Sequence, residues 1–233
     1  MKIVIVTGTS GGLGNSLADE FSKQKDCILI SISRKHKAGY GDGYSIIGEI
    51  ETDCGLIVKK TSELIKSLSK KEELHEVVFI NNAAVIEPIE YTSNIDPSSL
   101  DVVFKINFRF PVLMASAISD IKNCYKKFLI VNITTGAVTK PIPGWLAYCS
   151  SKAACKIGLE VVASENEKTD LLNIDPGVLD TSMQAKIRES IERVKELSEF
   201  LAFKENGKLK KPANVAVEII NEINKRNVSS DNQ

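Results

Sequence analysis

Thr7-Gly8-Thr9-Ser10-Gly11-Gly12-Leu13-Gly14 is the stretch on which the reading of this chain turns. It follows the apolar run Ile3-Val4-Ile5-Val6 and leads into a segment with apolar residues at helical spacing, so it reads as the turn between a first strand and a first helix. Side-chain-free positions at Gly8, Gly12 and Gly14 let the chain turn tightly, let the backbone approach a diphosphate, and let the helix lie close to the strand. Strand, glycine turn and helix in that order bring backbone amides and the positive end of a helix dipole to one point, where a pyrophosphate binds. A tight turn that holds no ligand uses the same glycines, so the rest of the chain has to decide.

Outward from that turn, apolar runs of strand length lie at 2–7, 27–33, 45–48, 76–81, 127–133 and 170–175. Helices are expected over 13–24, 55–70, 98–122, 145–165, 183–202 and 212–225, the last introduced by Pro212. Strands separated by crossover helices imply a parallel sheet with right-handed connections. The fold class is therefore α/β: a Rossmann-type doubly wound parallel sheet in a three-layer sandwich, with its ligand crevice at the carboxyl ends of the strands. No linker or composition break divides residues 1–233, so a single domain is expected. The charged, amphipathic segment 182–209 follows the last strand and reads equally as a mobile flap over the cleft or as a packed surface helix.

The 233 residues are 43% hydrophobic and 26% charged with a formal net charge of zero, which suits a soluble globular chain and excludes disordered, collagenous and membrane classes. Balanced charge leaves no broad footprint for nucleic acid or an anionic bilayer; Lys35, Lys37 and Lys208 to Lys211 are the local basic candidates. The apolar start is too short for a secretory segment, so the mature chain is expected to begin at or near Met1. Five cysteines in no metal-ligand spacing imply reduced thiols and a cytoplasmic protein, and the separated His36 and His75 imply no metal site.

The second strand ends Ser31-Ile32-Ser33-Arg34-Lys35-His36-Lys37. In nicotinamide-binding folds an acid near this tip holds the ribose hydroxyls of NAD, whereas arginine suits a 2′-phosphate. No acid stands here, and Arg34 offers a planar fork with Lys35 or Lys37 beside it, so NADP(H) is the expected cofactor. Solvated basic residues after a strand are the plain alternative.

Tyr148 and Lys152 are four residues apart in an expected helix and so share a face. Alone the pair is a common coincidence, but Asn81-Asn82-Ala83-Ala84, Thr134-Thr135 and Pro176-Gly177 each follow a strand and converge on the same carboxyl edge. With these residues in place the chain resembles the short-chain dehydrogenase/reductase family over nearly its whole length, from the glycine loop to Pro176-Gly177-Val178-Leu179-Asp180-Thr181. Within that family Gly144-Trp145-Leu146-Ala147-Tyr148-Cys149-Ser150 and Asp180-Thr181-Ser182-Met183-Gln184-Ala185 are similar to the benzil reductase and sepiapterin reductase-like members.

The resemblance implies a catalytic set of Asn107, Thr135, Tyr148 and Lys152. Tyr148 is the general acid, Lys152 holds the nicotinamide ribose and lowers the phenol pKa, and Asn107 positions a relay water, unless it is an ordinary buried asparagine. A free phenol titrates near about pH 10, so a close ammonium and the oxidised nicotinamide both serve to favour the phenolate. Thr135 stands where the family has a serine; it keeps the hydroxyl but adds a methyl group that crowds the pocket. Cofactor contacts are implied for Gly8, Ser10, Gly12, Leu13, Gly14, Ser33, Arg34, Lys35, Asn82, Ala83, Tyr148, Lys152, Pro176, Gly177, Val178 and Thr181. Glu49 stands where an aspartate is usual beside the adenine, with Ile50 supplying a backbone contact.

The expected substrate side comprises Thr135, Val138, Ile142, Trp145, Tyr148 and Met183, an apolar and aromatic lining without a cationic anchor. It suits a bulky uncharged ketone or 1,2-diketone reduced with NADPH; for Trp145 a core position touching no ligand is the alternative. The sequence ends Asn227-Val228-Ser229-Ser230-Asp231-Asn232-Gln233, which leaves the family's seventh strand missing or rudimentary and argues against a pterin substrate and a tetramer. A homodimer through 98–122 and 145–165 is expected, Ala115, Ala117, Ala153 and Ala154 allowing close packing. Other readings are a sepiapterin or 3-oxoacyl reductase and, in another class, a non-catalytic NADP(H)-binding regulator or scaffold.

Overall fold

The computed structural model describes residues 1–35, 40, 41 and 43–230, without the side chains of 227–230; His36 and Lys37 lie outside the described residues. Six parallel strands, β1 (Lys2–Thr7), β2 (Cys27–Ser33), β3 (Tyr44–Ile47), β4 (Glu76–Asn81), β5 (Lys127–Ile133) and β6 (Thr169–Ile174), form one sheet in the order β3-β2-β1-β4-β5-β6. The order reverses between β1 and β4, and a crevice opens at such a switch point, outside the strands' carboxyl ends.

The strands are continuous apolar runs because helices cover both faces of the sheet, and the period of two sorts each run into two cores. On one face Ile3, Ile5, Val77, Phe79, Phe128 and Ile130 pack with residues of α2 (Ile50–Ser69), α4 (Phe110–Ser119) and α5 (Leu146–Ser164). On the other, Val4, Val6, Val78, Ile80, Leu129 and Val131 meet α1 (Gly12–Phe21) and α8 (Pro212–Ser230), with Leu17, Phe21, Ile219 and Ile223 buried between. Each such fully buried side chain contributes about 1.5–3 kcal/mol of hydrophobic transfer free energy. A third, smaller cluster of Ile86, Ile89, Ala137, Trp145, Tyr148, Ile187, Val194, Leu197 and Phe200 lies at the carboxyl edge, under the segment that follows β6.

Several helices depart from the periodicity-based expectation. The 98–122 segment is α3 (Pro97–Phe104), a π-helical turn at Lys105–Arg109, and then α4. Asp96 caps α3 by accepting from the Ser98 amide, and the π turn is centred on Asn107, whose side chain bonds outside the helix. Pro97–Ser119 is long and apolar enough to cross a bilayer, yet Phe110, Met114, Ala115 and Ile118 of this stretch are fully buried in the core. The expected 183–202 helix is broken into α6 (Ser182–Glu189) and α7 (Glu199–Glu205). Between them Ser190, Val194 and Leu197 turn inward to complete burial, and packing of these residues overrides helical continuity. Helix α2 begins at Ile50 instead of residue 55, because Asp53 Oδ2 accepts the Glu49 amide at 2.8 Å and ties down its first turn. No seventh strand follows among the described residues, since α8 itself runs on to Ser230.

Candidate active site

The glycine turn is held open from behind. Thr7 Oγ1 accepts the amides of Asn82 and Ala83 at 3.0 and 2.9 Å, and Asn82 Nδ2 donates to the Thr7 carbonyl at 2.8 Å, locking the β1 tip to the β4 tip. Gly8, at φ 73°, has no room for a side chain: a Cβ there would lie 3.0 Å from Asn82 Nδ2 and 3.1 Å from the Ala83 Cα. At Gly14 a Cβ would stand 2.4 Å from the Gly8 carbonyl oxygen, so this glycine serves the packing of α1 on β1. Ser10, Gly11 and Gly12 are exposed, whereas the Leu13 side chain is in the core, which leaves only its backbone for a ligand.

The amino end of α1 has no side-chain cap and no acidic residue in its first turn. Its orphan amides and dipole are thus offered outward to an anion, as a dinucleotide's diphosphate requires. Further along the edge Arg34 and Lys35 are exposed at the β2 tip, where Ser33 Oγ donates to the Lys35 carbonyl at 2.7 Å. Arg34 Nη1 stands 4.0 Å from Glu49 Oε1, both side chains well exposed. Ile50 begins α2 beside them. These residues stand where the adenosine end of a dinucleotide would lie, with Arg34, Lys35 and Glu49 exposed beside it.

At the β5 and β6 tips the candidate chemical groups converge. Tyr148 and Lys152 lie on α5 with only 7% and 3% of their surfaces exposed, and the Thr135 hydroxyl is close enough to the Tyr148 phenol to bear on its titration. The Thr135 hydroxyl also accepts from the Ala137 amide at 3.3 Å. Lys152 Nζ donates to the Ile133 carbonyl at 2.5 Å. Burial pushes the phenol above its ordinary value, with the charges of Asp175 and Cys149 adding to the rise and the nearby Thr135 hydroxyl opposing it. Burial also lowers the Lys152 ammonium, which the charge on Cys155 offsets in part. In the free protein the Lys152 ammonium is turned to the Ile133 carbonyl, and desolvation dominates at Tyr148.

Asn107 is fixed by its surroundings. Its Oδ1 accepts the Val85 amide at 2.9 Å, and its Nδ2 donates to the Val85 carbonyl at 2.8 Å and to Ser151 Oγ at 3.1 Å. Both amide hydrogens are therefore used in joining the β4 loop to α5, and the side chain has no donor left for a water. Beneath α5 three asparagines in register, Asn81, Asn132 and Asn173, form a ladder across β4, β5 and β6, with bonds of 3.0 and 2.8 Å. Cys155, one turn after Lys152, rests on this ladder.

Trp145 packs edge-on to Tyr148, ring centroids 5.5 Å apart, and against Phe200 at 5.3 Å, and its indole N–H is buried without a partner. Ile142 and Met183 are half-buried against the same cluster, whereas Val138 lies outside it in a single helical turn after β5. Pro176, Gly177 and Val178 follow β6, and Thr181 caps α6 by accepting the Gln184 amide at 3.4 Å. This segment is braced by Lys210, whose backbone bonds to Val178 and Asp180. A Cβ on Gly12 would come within 3.2 Å of the Thr181 methyl, so the segment faces the glycine turn across the crevice.

The sequence profile of the family described as short chain dehydrogenase matches residues 2–192. The chain belongs to the short-chain dehydrogenase/reductase family. It is an oxidoreductase of that family, whose members use NAD(P)(H). Benzil reductase ((S)-benzoin forming) of Bacillus cereus is 31% identical, over 95% of this chain and 93% of its own length. Sepiapterin reductase of Meriones unguiculatus is 26% identical over 81% of this chain and 78% of its own. The crystal structure of a short-chain dehydrogenase/reductase from Saccharomyces cerevisiae superposes with a TM-score of 0.77 at 28% identity, covering 91% of this chain and 86% of that one.

Several residues of this reductase-type edge escaped the sequence reading. Thr7, the asparagine ladder and Lys210 act through contacts between segments far apart in the chain, which no local spacing reveals. Asp175 had a visible signal, as an acid directly before Pro176-Gly177. Glu87, Glu90 and Tyr91 also matter: they bond Lys186, Arg193 and Glu196 of the segment over the site.

Proposed function

We propose that this protein is an NADPH-dependent carbonyl reductase that reduces a ketone or 1,2-diketone, with Tyr148 as general acid. The observation that carries this reading is the phenol of Tyr148, buried, with Thr135 near it and Lys152 one helical turn further on, packed in an apolar aromatic cluster at the sheet's carboxyl edge. Bound along the glycine turn, the dinucleotide supplies the hydride.

The chain's own groups do the rest. Thr135 Oγ1 and the Tyr148 phenol both point hydroxyl hydrogens at one carbonyl oxygen, polarising it. As that oxygen gains negative charge, the phenol gives it a proton, and the raised phenol pKa keeps the proton available at neutral pH. Lys152 holds the nicotinamide ribose, and its charge favours the phenolate left behind. Asn107 keeps the π turn and the β4 loop in place. Gly8, Ser10, Gly12, Leu13, Asn82 and Ala83 line the diphosphate side; Pro176, Gly177, Val178 and Thr181 line the carboxamide side. Arg34 and Lys35, exposed at the β2 tip where the strand itself ends in no acid, support NADPH over NADH, although Glu49 reaches Arg34 from the start of α2.

Trp145, Ile142, Ile187 and Phe200 support a bulky, apolar substrate, and relatives whose printed activity is benzil reduction support a diketone. Residues 1–233 act as one domain, with 182–209 as the flap that shuts water out. Five free thiols support a reducing, cytoplasmic setting. A homodimer is proposed through α4 and α5, where Leu113, Ile157 and Val161 are exposed apolar side chains; Ala115, expected at that surface, is instead fully buried in the core. The test is a panel of aryl ketones and diketones, benzil included, run with NADPH and with NADH. NADPH oxidation with an aryl diketone supports the reading; no turnover across the panel favours a non-catalytic dinucleotide-binding scaffold.

A further inference from the structure

We propose that Asp175 is a specificity-determining residue of this site, selecting carbonyl compounds that carry a cationic nitrogen one or two carbons from the carbonyl. The inference rests on the reductase reading and adds to its apolar pocket a charge preference beside the carbonyl.

Asp175 is the first residue past β6, and the Thr134 amide bonds the Ile174 carbonyl at 2.8 Å, so the Asp175 side chain emerges beside Thr135. One carboxylate oxygen, Oδ1, accepts the Gly177 amide at 2.9 Å, which fixes the group in a tight turn. The other, Oδ2, faces Gly136, 3.6 Å from the point a Cβ would occupy there. The carboxylate is close enough to the phenol of Tyr148 that its charge bears on that group. No described cation forms an ion pair with it. Lys210 stands against Gly177, its Cε 3.7 Å from a Cβ placed there, but its ammonium pairs with Glu218 at 3.8 Å.

An unpaired carboxylate beside the reacting carbonyl is hydrated while the site is open. A substrate held between it and the Trp145–Phe200 cluster strips that water, and only a positive charge replaces what is lost. A carboxylated substrate meets repulsion at the same point. Because Asp175 is exposed in the free protein, solvent screening limits the discrimination to roughly five- to tenfold.

The experiment compares two ketones of matched shape, phenacyltrimethylammonium and its neutral isostere 3,3-dimethyl-1-phenylbutan-1-one, with NADPH, in wild type, Asp175→Asn and Asp175→Glu. Asparagine retains an oxygen for the Gly177 amide, so the turn survives. The reading is the ratio of kcat/KM for cation over neutral, in which general losses of activity cancel. The ammonium activates its own carbonyl to the same extent in every variant, so the ratio is expected to fall roughly five- to tenfold from wild type to Asp175→Asn and by a smaller factor in Asp175→Glu. A wild-type ratio at or below one overturns the proposal without any variant, as does an unchanged ratio in Asp175→Asn. A shift confined to NADP+ against NADPH affinity in Asp175→Asn also overturns it, because the charge then serves the cofactor. Failure of the reductase reading looks different: neither ketone and no diketone is turned over.

Discussion

Replacing Tyr148 by Phe removes one oxygen atom from the centre of the site and little else. The ring keeps its edge-on packing against Trp145, 5.5 Å between centroids, and Thr135 Oγ1 keeps its bond from the Ala137 amide. Loss of the hydroxyl costs no more than about 1 kcal/mol, partly offset because a buried phenol no longer needs a partner; in a chain of this size that is a shift in Tm of at most about 4 °C. Catalysis loses the proton donor, a factor of roughly 10² to 10⁴ in kcat, or about 3–5 kcal/mol of barrier at 1.36 kcal/mol per decade. Thr135 can still polarise the carbonyl but has no comparably placed proton to give. The assay pairs stopped-flow NADPH oxidation with fluorescence titration of NADPH, whose Kd is expected to stay within about threefold because Lys152 is untouched. The pH profile adds a sign. Since burial and Asp175 raise the phenol pKa, wild-type reduction should stay flat from about pH 6 to about 9, while alcohol oxidation, which needs the phenolate, climbs with pH. A Tyr148→Phe enzyme retaining more than a tenth of wild-type kcat, or wild-type oxidation that does not rise with pH, refutes the assignment of Tyr148 as the acid.

Three further outcomes are expected. Arg34→Asp should lower NADPH affinity relative to NADH by about tenfold or more, since it removes a phosphate-binding fork and adds repulsion at the β2 tip; unchanged relative affinity in paired titrations would show that Arg34 does not read the 2′-phosphate. Gly14→Ala puts a Cβ 2.4 Å from the Gly8 carbonyl oxygen, an overpacking of about 1–3 kcal/mol that calorimetry should register as a Tm lower by several degrees, with weakened NADPH binding as the turn shifts; wild-type values for both would mean the loop yields freely. Glu90→Gln combined with Tyr91→Phe cuts two of the ties from the β4 loop to the segment over the site. Each exposed tie contributes no more than about 1 kcal/mol, so the double variant should keep its Tm while trypsin cleaves faster around Arg188 and Arg193, and equal cleavage rates would argue that the apolar cluster alone closes the flap.

The layout of the sheet was legible because apolar runs buried on both faces carry their own lengths, and their separations demand crossover helices. β1, β2, β4 and β5 lie where those runs are, and β3 and β6 are each shifted by one residue. Helix ends were less legible: α2 starts early through a side-chain cap, and the break between α6 and α7 exists only because Ser190, Val194 and Leu197 find a shared interior. The glycine turn, Tyr148, Lys152, Thr135 and Asn107 could be singled out because the chemistry constrains residue type and spacing within short segments, and the structure brings them to one edge. The charge state of that edge was not legible. Spacing placed Lys152 one turn from Tyr148, but where its ammonium points depends on the Ile133 carbonyl, and how the phenol titrates depends on how deeply α5 and the flap bury it.

What the amino-acid order determines by itself, then, is local: element type, the glycine turn, a tyrosine and a lysine on one helical face, and membership of the family. Only the tertiary structure decides what those groups meet. The Thr7 clamp, the Asn81–Asn132–Asn173 ladder and the approach of Asp175 to the site join strands separated by tens of residues. The physical reason is that solvation and Coulomb interaction depend on distance through space and on exclusion of water. Neither quantity exists until the chain has closed on itself.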